Sequence, residues 1–201
     1  RISTKSSLSQ SNPLVKTTSK AFEFWDEDKI NIGNSGRLFL GDDFSANMKS
    51  RTYTKLLEGF VQGSQINYTF RFLNAASSSV MLRIEESGTK IVDRALSGIS
   101  SGSYMYAYPF DGTATYTGNL SENRSLLKFT FDTQISAAYG YIDYYEIQYL
   151  RELKTVSDQM IFFSDREGTV VEYHLSNFSS SDVMIFDISD YSTVKLLSSA
   201  N

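Results

Sequence analysis

Hydrophobic and polar positions alternate in short runs along most of this chain. From Tyr139 to Leu150, Tyr141, Asp143, Tyr145, Ile147 and Tyr149 fall on one face, while Gly140, Ile142, Tyr144, Glu146, Gln148 and Leu150 fall on the other. Successive side chains of a strand point to opposite faces, and aromatic and β-branched residues suit a pleated surface. A helix would need apolar residues three and four apart, and these aromatics are more crowded than that. Both faces are largely apolar, which predicts a central strand of a sandwich. The same alternation places Ile66, Tyr68, Phe70 and Phe72 on one face of a second strand, and Val80, Leu82 and Ile84 on one face of a third.

Strands are predicted at a regular beat over residues 21–25, 37–40, 52–60, 65–74, 79–86, 90–96, 104–110, 114–118, 126–132, 140–151, 159–163, 169–175, 183–188 and 194–197. Breakers separate them: Gly63-Ser64, Ser87-Gly88, Asp111-Gly112 and Glu167-Gly168 among others. Short strands at this spacing predict an all-β, jelly-roll-like antiparallel β-sandwich. Residues 1–20, polar and serine-rich, read as a linker or the end of a preceding element, and 21–201 as the sandwich domain with its core at about 50–198. There is no amphipathic helix pattern and no repeat of fixed period.

Composition narrows the function classes. Hydrophobic residues make up 41% of the 201 positions and aromatics 14%, enough to bury a proper core. The 31 serines fit a chain with many turns. A net charge of −4 with scattered signs provides no basic stripe for nucleic acid. No apolar run approaches the roughly 20 residues of a membrane span. No signal-peptide pattern follows Arg1, which leaves room for a signal removed or lying outside these residues. The absence of cysteine excludes disulfides, thiolate metal sites and a cysteine nucleophile within the segment.

Candidate chemistry is sparse. The single histidine, His174, lies in a predicted strand with Val170 and Glu172 on its face, and no Gly-x-Ser-x-Gly elbow accompanies it. A solvent-facing or hydrogen-bonded strand histidine outweighs a general base. Acidic clusters occur at Asp26-Glu27-Asp28, at Asp42-Asp43 and from Asp187 to Asp190. Asp26, Asp28, Asp42 and Asp43 sit in loops flanking a short strand and are calcium candidates, with solvated turns as the favoured alternative. Tyr104, Tyr106 and Tyr108 fall on one face of a predicted strand and form a possible sugar-stacking platform, weighed against burial in the core.

Three passages resemble one family. Phe22-Glu-Phe-Trp-Asp-Glu-Asp-Lys-Ile-Asn31 with Ser35-Gly-Arg-Leu-Phe-Leu-Gly-Asp-Asp-Phe44 resembles the passage that precedes the peptidase in gingipain-type sortases of the type IX secretion system. Phe39 replaces the usual tryptophan and Asp42 the usual glutamate. Tyr141-Ile-Asp-Tyr-Tyr-Glu-Ile147 with Tyr149 and Arg151 resembles the family's Y-L-D-Y-I-E strand, and Phe186-Asp-Ile-Ser-Asp190 its W-D-V-T-D-P signature, with Tyr191 in place of proline. The resemblance implies an accessory β-sandwich, without catalytic residues, cofactor or metal of its own, upstream of a cysteine peptidase domain beyond residue 201. It further implies an exported protein of a Bacteroidetes-type bacterium, at the outer membrane surface or extracellular. The partners implied are the downstream peptidase domain and secreted cargo proteins or other secretion components, with no nucleic acid and no membrane span. The alternative is a free-standing carbohydrate-binding module.

Overall fold

The structure, a computed structural model, describes residues 2–34, 36–164 and 170–198. Its strands in chain order are β1 (Ser3–Ser6), β2 (Leu14–Lys16), β3 (Thr18–Asp26), β4 (Ile30–Asn31), β5 (Phe39–Leu40), β6 (Asp43–Ser45), β7 (Ser50–Leu56) and β8 (Gln65–Asn74). They continue as β9 (Val80–Glu86), β10 (Thr89–Leu96), β11 (Tyr108–Thr117), β12 (Arg124–Asp132), β13 (Tyr139–Glu152), β14 (Val171–Tyr173), β15 (Phe186–Asp187) and β16 (Lys195–Ser198). Contacts divide the chain into two units, Lys20–Arg151 and a second made of Arg1–Ser19 with Glu152–Asn201.

The first unit is the sandwich. One sheet runs β10-β9-β12-β7 and the other β11-β8-β13-β3, with β6 also pairing β13. Between them lies one core, in which Phe70, Phe72, Phe129, Phe131 and Tyr145 are buried. The rings meet at tilted or edge-on angles, as Phe70 and Phe129 do at 5.9 Å and 81°, a geometry that the ring quadrupole favours. The fold is thus all-β, as the alternation predicts.

A buried carboxyl group ties the two sheets together. Glu86 follows Val80, Leu82 and Ile84 on the inward face of β9 and is fully buried. Its Oε2 accepts hydrogen bonds from Tyr68 Oη on the opposing sheet at 2.8 Å and from Ser125 Oγ on β12 at 2.5 Å. Its Oε1 accepts from the Leu126 amide at 2.9 Å and from Ser87 Oγ at 2.7 Å. Burial, followed by the neighbouring Glu86, holds the Tyr68 hydroxyl above its usual range, so it remains a donor. The β9–β10 hairpin closes through Ser87 and Gly88, both at positive φ (48° and 83°), which matches the twist of the flanking strands.

Two details of register differ from the sequence expectation. Asp111-Gly112, expected as a break, lies inside the continuous strand β11, where Gly112 pairs with Phe70. A Cβ on Gly112 would sit 2.3 Å from Phe70 Cζ, so the glycine makes room for a core ring. In β13 the pairing with β8 steps from Ile142↔Phe72 to Tyr144↔Arg71, leaving Asp143 as an extra residue in a bulge. Gly140 and Ile142 point inward before it; Tyr145, Ile147 and Tyr149 point inward after it. Strict alternation through residues 139–150 therefore fails at Asp143, although the strand is central as predicted.

The second unit has little sheet. β1-β16-β15 form three strands and β14-β2 form two, with parallel pairs β1–β16 and β14–β2. Residues 1–20 hold β1, β2 and the start of β3. No strand forms at 159–163, where Gln159 makes an isolated bridge to Val156. The expected strand 169–175 is shortened to β14, with Thr169 and the Glu167-Gly168 turn outside the described residues.

Replacing Glu86 by Ala leaves the Tyr68 and Ser125 hydroxyls and the Leu126 amide without their acceptor inside the sandwich. Urea unfolding followed by tryptophan fluorescence is expected to show a loss of about 3 kcal/mol. Gly112→Ala forces Phe70 to shift and is expected to cost about 1–3 kcal/mol in the same assay.

Candidate functional site

The three candidate tyrosines do not share a strand face. β11 begins at Tyr108, so Tyr104 and Tyr106 lie in the preceding loop. Neither is core: Tyr104 is fully exposed and Tyr106 is 62% exposed. Tyr106 is fixed by its contact with bare backbone, since a Cβ on Gly33 would fall 2.3 Å from its Cε2. Tyr108 is half-buried, with its hydroxyl 3.5 Å from Ser103 Oγ. The alternation that suggested one strand here is overruled by the loop that closes before β11.

The acidic loops are engaged with cations and hydroxyls. Asp42 accepts from Lys29 Nζ through Oδ1 at 2.9 Å and from Tyr53 Oη through Oδ2 at 2.9 Å. Asp43 accepts from Arg51 Nη2 at 2.7 Å. Lys29 also pairs with Glu27 and lies over the Trp25 ring at 5.7 Å. Trp25 stacks on Tyr145 at 5.6 Å and 8° and packs against Tyr53 at 4.9 Å. Burial pushes the Asp42 carboxyl up, but the hydrogen bonds from Lys29 and Tyr53 outweigh it and the net direction is down. Asp26 and Asp28 lie near enough to Asp143 to help raise its pKa; burial is the largest cause, and Arg71 opposes the rise. Among the described residues no group of three or more metal-ligating side chains gathers.

In the second unit, His174 follows β14 and borders an open cleft lined also by Thr17, Thr18, Glu152, Lys154 and Ser176. Its Nε2 lies 2.5 Å from Glu172 Oε1 and both side chains are about half exposed. That pairing supplies a hydrogen-bond partner and no nucleophile. The carboxylates of the Phe186–Asp190 signature are also structural. Asp187 binds Lys5 Nζ at 2.9 Å. Asp190 accepts from Ser192 N, Ser192 Oγ and Thr193 Oγ1, and these bonds hold its pKa down at about 2.

What the second unit does present is uncovered apolar surface. Leu153 is its one buried hydrophobic side chain among the described residues. Met184, Phe186, Tyr191, Ile161, Leu14 and Val15 are all exposed. The middle strand β16 is half-buried at every residue, so neither of its faces is fully covered. The exposed side chains are distributed over β2, β15 and the segments around them rather than gathered into a core of their own. Periodicity did not reveal this surface, because apolar residues in short strands look the same whether a partner sheet covers them or not.

No protein-family model matches the sequence, and no curated protein matches it. The structure is similar to dimeric latent PorU from Porphyromonas gingivalis, with a TM-score of 0.84 over 98% of this chain at 15% identity. This chain spans 19% of the length of that one. It also matches the CBM36-1 domain of a multidomain xylanase from the hindgut metagenome of Trinervitermes trinervoides at a TM-score of 0.40, with 18% identity over 65% of this chain and 94% of that one. The carbohydrate-binding module CBM36 in complex with calcium and xylotriose gives 0.39, with 14% identity over 63% and 98%. The first likeness is one of fold across nearly the whole chain; the other two are too distant to carry an argument. Among the described residues no helix is long and apolar enough to cross a membrane.

The Asp42 network has a definite pH signature. A carboxyl held below its unfolded value of about 3.9 contributes stability above that pH, and the contribution is lost as pH falls through the folded value. Acidification from about pH 5 to about pH 3 is expected to destabilise the wild type more than Asp42→Asn, measured by thermal unfolding at each pH.

Proposed function

We propose that this chain is a non-catalytic β-sandwich module of a gingipain-like cysteine peptidase or sortase linked to type IX secretion. In this reading it is exported to the cell surface, packs on the peptidase domain and shapes the approach of cargo. The observation that carries the reading is the uncovered apolar surface of the second unit. A unit with one buried hydrophobic side chain among its described residues has too little core to stand alone. A protein partner would complete it, and aromatic and methionine side chains such as Tyr191, Phe186 and Met184 are the kind that interfaces favour.

Two further observations support it. The likeness to PorU extends over 98% of this chain, so both units share in it. The Tyr141–Ile147 and Phe186–Asp190 passages that resemble the family occupy structural roles, in the bulged central strand and in β15 with the turn after it.

Hydrogen exchange tests the reading. In the 201-residue chain alone, amides of β15 and β16 are expected to exchange far faster than those of β8 and β12. Adding a gingipain-like peptidase domain encoded in the same gene should slow exchange at residues 183–188 and 195–198 and leave the sandwich unchanged. Met184→Asp should weaken that association about tenfold or more. If the gene encodes no such domain, if the domain leaves exchange unchanged, or if the chain alone cleaves a sorting-domain substrate, the reading fails.

A further inference from the structure

The outward face of the β11-β8-β13-β3 sheet is ordered in a way that ordinary solvation does not require. Inward residues of these strands fill the core, so the alternate residues form rows across the sheet. Thr115, Asn67 and Gln148 make one row, Thr113, Thr69 and Glu146 the next, and Asp111, Arg71 and Tyr144 a third. Neighbouring strands lie about 4.8 Å apart, so the four strands span about 14 Å.

Along the β3 side the face turns aromatic. Phe22 and Phe24 alternate with the inward Ala21 and Glu23 and are 47% and 51% exposed. Phe24 meets Tyr144 with ring centroids 6.2 Å apart. The solvated face of an antiparallel sheet is normally polar. Two exposed phenylalanines at the margin of a threonine- and amide-rich array are a departure from that rule.

The polar half is pre-positioned and close to neutral. Gln65 Nε2 donates to Asn67 Oδ1 at 2.7 Å, and Asn67 Nδ2 donates to Gln148 Oε1 at 3.4 Å, which fixes the amide planes. Arg71 is held by Asp111 through two bonds of 2.6 and 3.2 Å and lies 6.0 Å over the Tyr144 ring. Its charge is thereby matched, and Glu146 adds a negative charge one row away, so the rows do not suit an anionic ligand. Hydroxyl and amide groups at this density do not suit an apolar protein surface either.

We propose that this face binds a neutral oligosaccharide, with Phe22, Phe24 and Tyr144 under the apolar faces of the sugar rings. Asn67, Gln148 and the threonines supply donors and acceptors to the hydroxyl rim. A pyranose has both an apolar C–H face and a polar rim, and aromatic faces stack on the former while planar amides offer donor and acceptor together. Its residues are other than those of the interface proposed for the second unit and other than Tyr104 and Tyr106.

Isothermal titration calorimetry of the 201-residue chain with xylohexaose and cellohexaose as neutral probes, and heparin as the anionic one, decides the matter. Binding of at least one neutral hexasaccharide is expected, weakened about tenfold or more in Phe22→Ala/Phe24→Ala and in Asn67→Ala. Thermal unfolding of both variants should remain one cooperative transition well above the titration temperature, which separates lost binding from lost fold. No heat with either neutral probe, tighter binding of heparin, or binding that survives both variants overturns the proposal. So does a wild-type dimer in analytical ultracentrifugation that the phenylalanine variant dissociates, because the rings would then serve a second copy of the chain.

Discussion

Burial of a layer of aromatic rings between two antiparallel sheets is the requirement around which the rest of this molecule is arranged. Phe70, Phe72, Phe129, Phe131 and Tyr145 fill the space, and each removes a large apolar area from water. Rings of that size fit only if the sheets hold one relative register. Glu86 helps supply the register. Its carboxyl group reaches from β9 to Tyr68 on the opposite sheet and to Ser125 on the adjacent strand. The rings are non-directional in their attraction; the buried hydrogen bonds are directional. The combination gives the sandwich both cohesion and a single alignment. Asn74, also buried, plays a comparable part by accepting from the Ala76 amide and donating to the carbonyls of Ser78 and Ser97.

The two units differ in kind because only one of them meets this requirement from its own sequence. The sandwich closes its core within Lys20–Arg151. The second unit is held by short ladders and by ion pairs such as Lys5–Asp187. Exposed ion pairs contribute little to stability, and strands of two to four residues bury little surface. Little of its order therefore comes from packing of its own.

Much of the sandwich was legible in the chain. The predicted strand over 65–74 has the bounds of β8, because Ile66, Tyr68, Phe70 and Phe72 alternate without interruption. Strand β9 was equally plain, though the inward polar Glu86 at the end of its apolar series was the clue to the cross-sheet link and pattern alone gave it no partner. The failures have specific physical causes. Asp111-Gly112 looks like a turn, but Gly112 is demanded by Phe70 from the neighbouring strand, a long-range contact invisible to local pattern. Tyr104 and Tyr106 continue the alternation of β11 by composition while the backbone has already left the sheet. In the acidic loops the carboxylates are conspicuous in the sequence, whereas Lys29, Arg51 and Tyr53, which engage Asp42 and Asp43, are distributed along the chain and pattern does not pair them. The exposed Phe22 and Phe24 were readable as one strand face, but which face met water depended on where β3 joined its sheet.

Asp143 carries a consequence for how such sequences are compared. Its bulge works as a frame shift within a period-two code: inward positions are even-numbered before it and odd-numbered after it. A relative lacking the extra residue would need either an opposite phase on one side of that point or a compensating insertion nearby. Alignments that slide the tyrosine-rich strand to maximise matching aromatics will superpose core rings on surface rings over half its length. Divergence among proteins sharing this strand would then be overstated, and a kinship preserved in three dimensions would be lost in the letters.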